Sequence, residues 1–224
     1  MSTDHARRAL ETLAERPAVV TIDIHRGHLD PEVATLPLTP EASAKLVERA
    51  VPLLAEYRRI GIPIFHVTTI YRDRDEILSN RYWRFQADRA DSARARIAEH
   101  NLDHLPGIEL MPGIREGSEP IVVKKRYDAF HNTDLALTLR SHDIDSLLLM
   151  GVNTSSCVIA TALAASVRDY AVFVVEDGVD TMLGPKLHDA ANLVIAESFG
   201  WVVDGDTTVD VLGARVGTAG RSGA

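Results

Sequence analysis

The chain has 224 residues, a formal net charge of −8, 46% hydrophobic and 25% charged residues, the composition of a soluble globular protein long enough to build one full core without disulfides or a structural metal. The acidic balance argues against nucleic acid as a partner, since phosphate binding needs clustered Lys and Arg; the densest basic run, Lys124-Lys125-Arg126, sits against an apolar strand. With one cysteine, no apolar run of membrane-span length and a charged N-terminus lacking a signal-like apolar segment, the expected setting is the cytoplasm and the expected partner a small molecule.

Residues 1–17 are polar with Ala9, Leu10 and Leu13 at helical spacing and predict a short leading helix. AVVTIDI (18–24) is a β-branched run, the mark of a strand buried on both faces. Three prolines make 31–40 a loop. Residues 41–60 then read as a helix with Leu46, Ala50, Leu53, Leu54 and Tyr57 on one side, kinked or split at Pro52 and stopped by Gly61. IPIFHVTT (62–69) is a second strand. The long polar stretch 71–119 predicts short helices and an active-site lid. Residues 120–123 open a third strand, and Asn132 or Thr133 caps a helix through Arg140. IDSLLLMGV (144–152) is the most apolar strand, followed by an Ala-rich helix over 156–168, a strand at 171–176, a helix at 185–198 and a short strand at 201–203; the Gly- and Ser-containing tail from about 213 reads as loose.

Strands alternating with helices, without a repeat or a linker, predict a single α/β domain over 1–224: three layers, α/β/α, around a six-stranded, mainly parallel, Rossmann-like sheet. Ligands of such sheets lie beyond the carboxyl ends of the strands where the strand order reverses. Three chemically loaded residues stand at such ends. Asp23 closes an apolar strand; its plain reading is a loop anchor, its functional reading a general base in a partly dry crevice. At the end of Ile121-Val122-Val123 stand Lys124 and Lys125, either solvated or a cation beside an anion, and alternation does not choose between them. Cys157 follows a strand and the polar turn Asn153-Thr154-Ser155-Ser156 at a helix start, either a core filler or a thiol whose charge the unpaired N–H groups favour. Separately, each plain reading holds; catalysis alone would require the three together.

The pattern resembles the isochorismatase-like hydrolases, which include nicotinamidases, N-carbamoylsarcosine amidases and ureido-type amidohydrolases. Val20-Thr21-Ile22-Asp23 is similar to the family's first strand with its aspartate. Val122-Val123-Lys124 with Ala129-Phe130 and Thr133-Asp134-Leu135 is similar to its lysine segment and selects Lys124. Leu148 to Val158 is similar to its nucleophile turn, and Asp177-Gly178 matches a further feature. The resemblance implies Asp23, Lys124 and Cys157 as catalytic residues, a cis peptide between Val152 and Asn153, backbone N–H groups of Asn153 and Cys157 as oxyanion donors, and a C–N bond hydrolysed through a thioester without cofactor or metal. It also implies a homodimer or homotetramer. His25 stands where the family has a glutamine and His28 where it has an aromatic residue, so both become substrate-binding candidates with Tyr82, Trp83 and Phe130.

The nicotinamidase Asp/His metal pattern is missing: His66 lacks companions, while His25, His28 and Asp30 form a metal set by count alone. Arg72, Arg74, Arg81 and Arg84 around Tyr82, Trp83 and Phe85 read either as a receiver for an anionic or planar ligand or as a solvated helix face. The rival readings are a vinyl ether hydrolase, against which Cys157 weighs, a nucleotide-dependent oxidoreductase, for which G-x-G-x-x-G is missing, and a non-catalytic binding module.

Overall fold

The computed structural model describes residues 3–219. Six strands form one sheet: β1 (Pro17–Ile22), β2 (Ile64–Thr69), β3 (Ile121–Lys124), β4 (Ser146–Val152), β5 (Ala171–Asp180) and β6 (Trp201–Val203). Their order is β3-β2-β1-β4-β5-β6 and every neighbouring pair is parallel. The continuous apolar runs seen in the sequence are what a sheet covered on both faces requires. Val19 of β1 faces one core and Ala18, Val20 and Ile22 face the other.

The first layer holds α1 (Thr3–Leu13), α3 (Pro40–Arg59) and α9 (Gly205–Ala219), and the opposite layer holds α6 (Leu135–Ser141), α7 (Ile159–Ser166) and α8 (Pro185–Ser198). Short helices α2 (Arg26–Leu29), α4 (Arg74–Leu78) and α5 (Arg81–Ala87) lie beyond the strand ends, the last two within the 71–119 stretch where short helices are expected. No described helix is long and apolar enough to cross a membrane.

Three local expectations change. The third helix runs unbroken through Pro52, because Leu46, Ala50, Leu53, Leu54 and Tyr57 are all buried along it and Thr39 Oγ1 caps it on the N–H of Ala42 at 3.2 Å. The sixth helix begins at Leu135 with Asp134 at its cap position making no side-chain bond, while Thr133 accepts from the N–H of Leu135 at 3.3 Å and also donates to Ala129 O. The tail expected to be loose from 213 is helical through Ala219, since Val211 and Leu212 are buried on the first layer and Arg215 donates to the carbonyls of Leu10 and Glu11 in α1 and of Ala14 just after it. Residues 220–224 lie outside the described residues.

Two features fix where the sheet delivers its functional ends. Gly151 has φ of +115°, and a Cβ there would lie 2.0 Å from the carbonyl oxygen of Ile22, so only glycine lets β4 approach β1 at this level. On the other side a polar chain crosses the layers. Thr21 Oγ1 meets His66 Nδ1 at 2.7 Å, His66 Nε2 meets Glu119 Oε2 at 2.9 Å, and Arg58 Nε donates to Glu119 Oε1 at 2.7 Å. His66 therefore has a structural role, tying β1 and β2 to the residue that leads into β3. Burial would raise the Glu119 carboxyl, but bonds from Arg58, the backbone of Glu116 and His66 hold it at about 2.

Because that folded pKa lies below the unfolded value, the stabilisation is complete above about pH 4.5 and fades as pH falls through about 2. Glu119→Gln should therefore cost roughly 1–3 kcal/mol at neutral pH, and urea melts should show the gap to wild type shrinking as pH drops from 5 towards 2. A gap that stays constant would show that the carboxylate charge does not hold this clamp.

Candidate active site

The strand order reverses between β1 and β4, and the candidate residues gather there. Asp23 follows β1 directly with φ of +54°, a left-handed conformation that Asp tolerates better than most residues at a cost of about 1 kcal/mol. Its N–H still pairs with Val67 O at 2.9 Å, so its backbone is pinned to β2 as the chain turns. Lys124 ends β3, which is separated from β1 by β2. Its four-carbon stem has to reach across β2, and Thr69, its register partner there, receives it: Lys124 Nζ donates to Thr69 Oγ1 at 2.6 Å. Cys157 sits in a wide single turn, Thr154–Val158, that precedes α7, slightly upstream of the regular helix expected from 156. The peptide between Val152 and Asn153 is cis, as the resemblance implies. Asn153 Oδ1 accepts from the N–H of Met182 at 2.7 Å and fastens the turn to the exit of β5.

Asp23, Lys124 and Cys157 meet. Lys124 Nζ lies 2.7 Å from Asp23 Oδ2 as an ion pair and 3.4 Å from Cys157 Sγ, so with Thr69 its three protons are all engaged. Asp23 Oδ1 accepts from the Thr69 N–H at 2.8 Å and lies 3.5 Å from His25 Nε2, and Lys124 bridges this carboxylate to the Cys157 sulfur. All three residues are buried. Burial would push the Asp23 carboxyl up, but Lys124 beside it and His25 together hold it well below the usual carboxylate range. Burial works against the Lys124 charge, yet Asp23 and Cys157 keep the ammonium protonated. For Cys157 the balance is reversed: burial, with Asp23 adding to it, outweighs Lys124 and pushes the thiol up to about 11. The expectation that the helix start favours the charge of the thiol is thus corrected: Lys124 does lower the thiol, but burial outweighs it. At rest the site is a thiol and an ionised carboxylate joined by one ammonium.

A small cavity opens over this trio. Among the substrate-binding candidates, His28 and Trp83 line it. His25 does not; it lies fully buried behind Asp23. Tyr82 points outwards and is 54% exposed. Phe130 is buried in the helix-side core, stacked on Tyr170 with Arg168 over its ring at 4.7 Å.

The arginines at 72, 74, 81 and 84 form a solvated face, and two other guanidiniums, Arg94 and Arg126, line the cavity instead. Arg126 is braced over Trp83 at 5.1 Å and donates to Ser79 Oγ at 2.8 Å. Sequence reasoning also missed Thr69, Tyr71 and His100, which line the same cavity from distant segments. Thr69 alone left a signal, as a polar residue closing an apolar strand.

His25, His28 and His100 form a buried cluster in which one ring nitrogen from each lies within 4.8 Å of the others. Asp30, which sequence counting grouped with the first two, is turned to Arg26 at 2.7 Å.

These features define an α/β protein with a thiol-centred site at the switch point of a parallel sheet. Residues 17–207 match the Isochorismatase domain, and the chain belongs to that family. It is 28% identical over 186 residues to the uncharacterised isochorismatase family protein YecD of Escherichia coli O157:H7, covering 82% of this chain and 89% of the relative. Its fold is similar to a cysteine hydrolase of Pseudomonas syringae pv. phaseolicola, with a TM-score of 0.77, 22% identity, and coverage of 90% of this chain and 97% of that one. It is also similar to N-carbamoylsarcosine amidase of Thermoplasma acidophilum, with a TM-score of 0.63, 29% identity, and coverage of 85% and 97%.

Since a thiolate is the reacting form, Cys157 should be alkylated slowly by iodoacetamide at neutral pH, with the rate climbing towards pH 11. Lys124→Met should displace that climb to still higher pH. Rapid labelling that levels off below about pH 8, or a profile indifferent to Lys124→Met, would contradict these electrostatics.

Proposed function

We propose that this protein is a cysteine-dependent hydrolase that cleaves a carbon–nitrogen bond of a small amide, ureido or lactam substrate through a thioester on Cys157. The observation that carries the proposal is a buried cluster on the floor of a small cavity, in which one ammonium lies 2.7 Å from the Asp23 carboxylate and 3.4 Å from the Cys157 sulfur. The Cys157 proton passes to Asp23 as sulfur attacks the carbonyl carbon, and Lys124 balances the charge that would otherwise accumulate beside the sulfur. Backbone N–H groups of Asn153 and Cys157 receive the oxyanion. Asp23 then gives the proton to the departing nitrogen, the C–N bond breaks and the thioester remains. Asp23, ionised again, takes a proton from water as that water attacks, and the acid leaves with the thiol restored. The amidase chemistry named for the Thermoplasma relative supports a C–N substrate.

The same cavity supports an anionic substrate. Asp23 is its one lining carboxylate and is already paired with Lys124, whereas the half-buried Arg94 guanidinium has no hydrogen-bond or ion-pair partner among the described residues. An unpaired guanidinium in a chain of net charge −8 favours a carboxylate, which it can hold with two parallel hydrogen bonds.

The test is a panel of small amides, N-carbamoyl acids and lactams, with and without a carboxylate, scored by released ammonia or amine. Cys157→Ala should fold normally and lose at least about a thousandfold in kcat. Arg94→Gln should raise KM about tenfold for carboxylate-bearing substrates with little change in kcat. Turnover retained by Cys157→Ala would end the nucleophile reading. Preference for neutral substrates, with Arg94→Gln silent, would end the anionic one.

A further inference from the structure

We propose that His25, His28 and His100 form a binding site for one divalent transition-metal ion, of the Zn²⁺ type, in the wall of the substrate cavity. The three rings come from the turn after β1, from α2 and from the end of the lid region, and all are buried. Ring centroids are separated by 5.0 Å for His25 and His28, 4.6 Å for His28 and His100, and 5.7 Å for His25 and His100. A trio of buried imidazoles is an expensive arrangement if any of them must carry charge. Neutral imidazoles are the form that ligates.

Two of the rings are each held by one nitrogen, as metal-ligating histidines commonly are. His28 Nδ1 donates to Leu36 O at 2.7 Å, and His100 Nδ1 meets Thr35 Oγ1 at 2.8 Å, so consecutive residues of one loop hold both rings by the same nitrogen. Neither Nε2 has a hydrogen-bond partner among the described residues, although both residues are 4% exposed and line the cavity. His25 is held separately, with its Nε2 2.7 Å from Asn101 Nδ2 and 3.5 Å from Asp23. The backbone is shaped around this packing: Gly27 lies so close to Asn101 that a Cβ would fall 1.9 Å from Asn101 Oδ1. Nitrogens within 4.8 Å of one another need ring rotations to close on an ion at about 2.0–2.1 Å. Three histidines leave a fourth position free, and the cavity supplies it; a carboxylate or carbonyl oxygen of a substrate is the chemistry that would take it.

The site can be tested without turnover and so stands or falls apart from the hydrolysis proposal. Chelator-stripped protein is titrated with Zn²⁺ by calorimetry, and with Co²⁺ while its visible absorption is followed. The site predicts one equivalent bound, with Co²⁺ giving the intense bands of a four-coordinate ion. His28→Gln and His100→Gln should each weaken binding at least about tenfold, and exposed His104→Gln should leave it unchanged. Thermal melts identify any variant that fails to fold, and His28→Ala and His100→Ala provide a second pair. No stoichiometric uptake by wild type would overturn the proposal. So would uptake that survives the His28 and His100 changes, or uptake lost only in Cys157→Ser, which would place the ion on the thiol.

Discussion

A carboxylate and an ammonium 2.7 Å apart, both with almost no solvent contact, are the constraint around which this fold is organised. Moving either charge out of water costs several kcal/mol, and their attraction offsets that only when the remaining protons and lone pairs also find partners. Here they do: Lys124 spends its other protons on Thr69 and Cys157, and Asp23 accepts from the Thr69 N–H. A hydrophobic pair of the same volume would serve stability as well or better. What the ion pair adds is a carboxylate that stays ionised while buried against a thiol, a combination that desolvation alone would forbid.

The surrounding structure keeps that pair in register. Lysine must bridge a whole strand to reach aspartate, so the positions of β2 and β3 have to be held closely. The Thr21–His66–Glu119–Arg58 chain does this from one side. Gly151 does it from the other by letting β4 close on β1, which brings the Cys157 turn over Asp23. Electrostatics then divide the work. Lys124 keeps Asp23 charged, while burial, with Asp23 adding to it, keeps Cys157 protonated.

Much of this was legible in the sequence because short-range patterns carried it. Continuous β-branched runs marked both-sided strands, and their alternation with helices gave the parallel sheet. Asp23 and Cys157 could be picked out because each closes or follows an apolar strand, where a polar residue is conspicuous, whereas Lys124 was told from Lys125 only by resemblance to the family's lysine segment. What the sequence hid was set by long-range packing. Arg94 and His100 belong to an irregular polar stretch with no periodicity to say which side chains turn inwards. Phe130 and Tyr82 look alike as aromatics, and only the packed layers decide that one is core and the other surface. The thiol's titration was misjudged for the same reason: helix position is visible in a sequence, whereas the depth of burial that outweighs it is not.

The most direct test is a double-mutant cycle on Asp23 and Lys124, read as unfolding free energy in urea. Lys124→Met and Asp23→Asn alone each leave an uncompensated partner in the interior and should cost about 3–5 kcal/mol. The double variant should recover a large part of the summed loss while remaining inactive, a coupling of at least about 1–2 kcal/mol. Single losses that simply add would mean that the two charges do not hold each other, and would contradict the account.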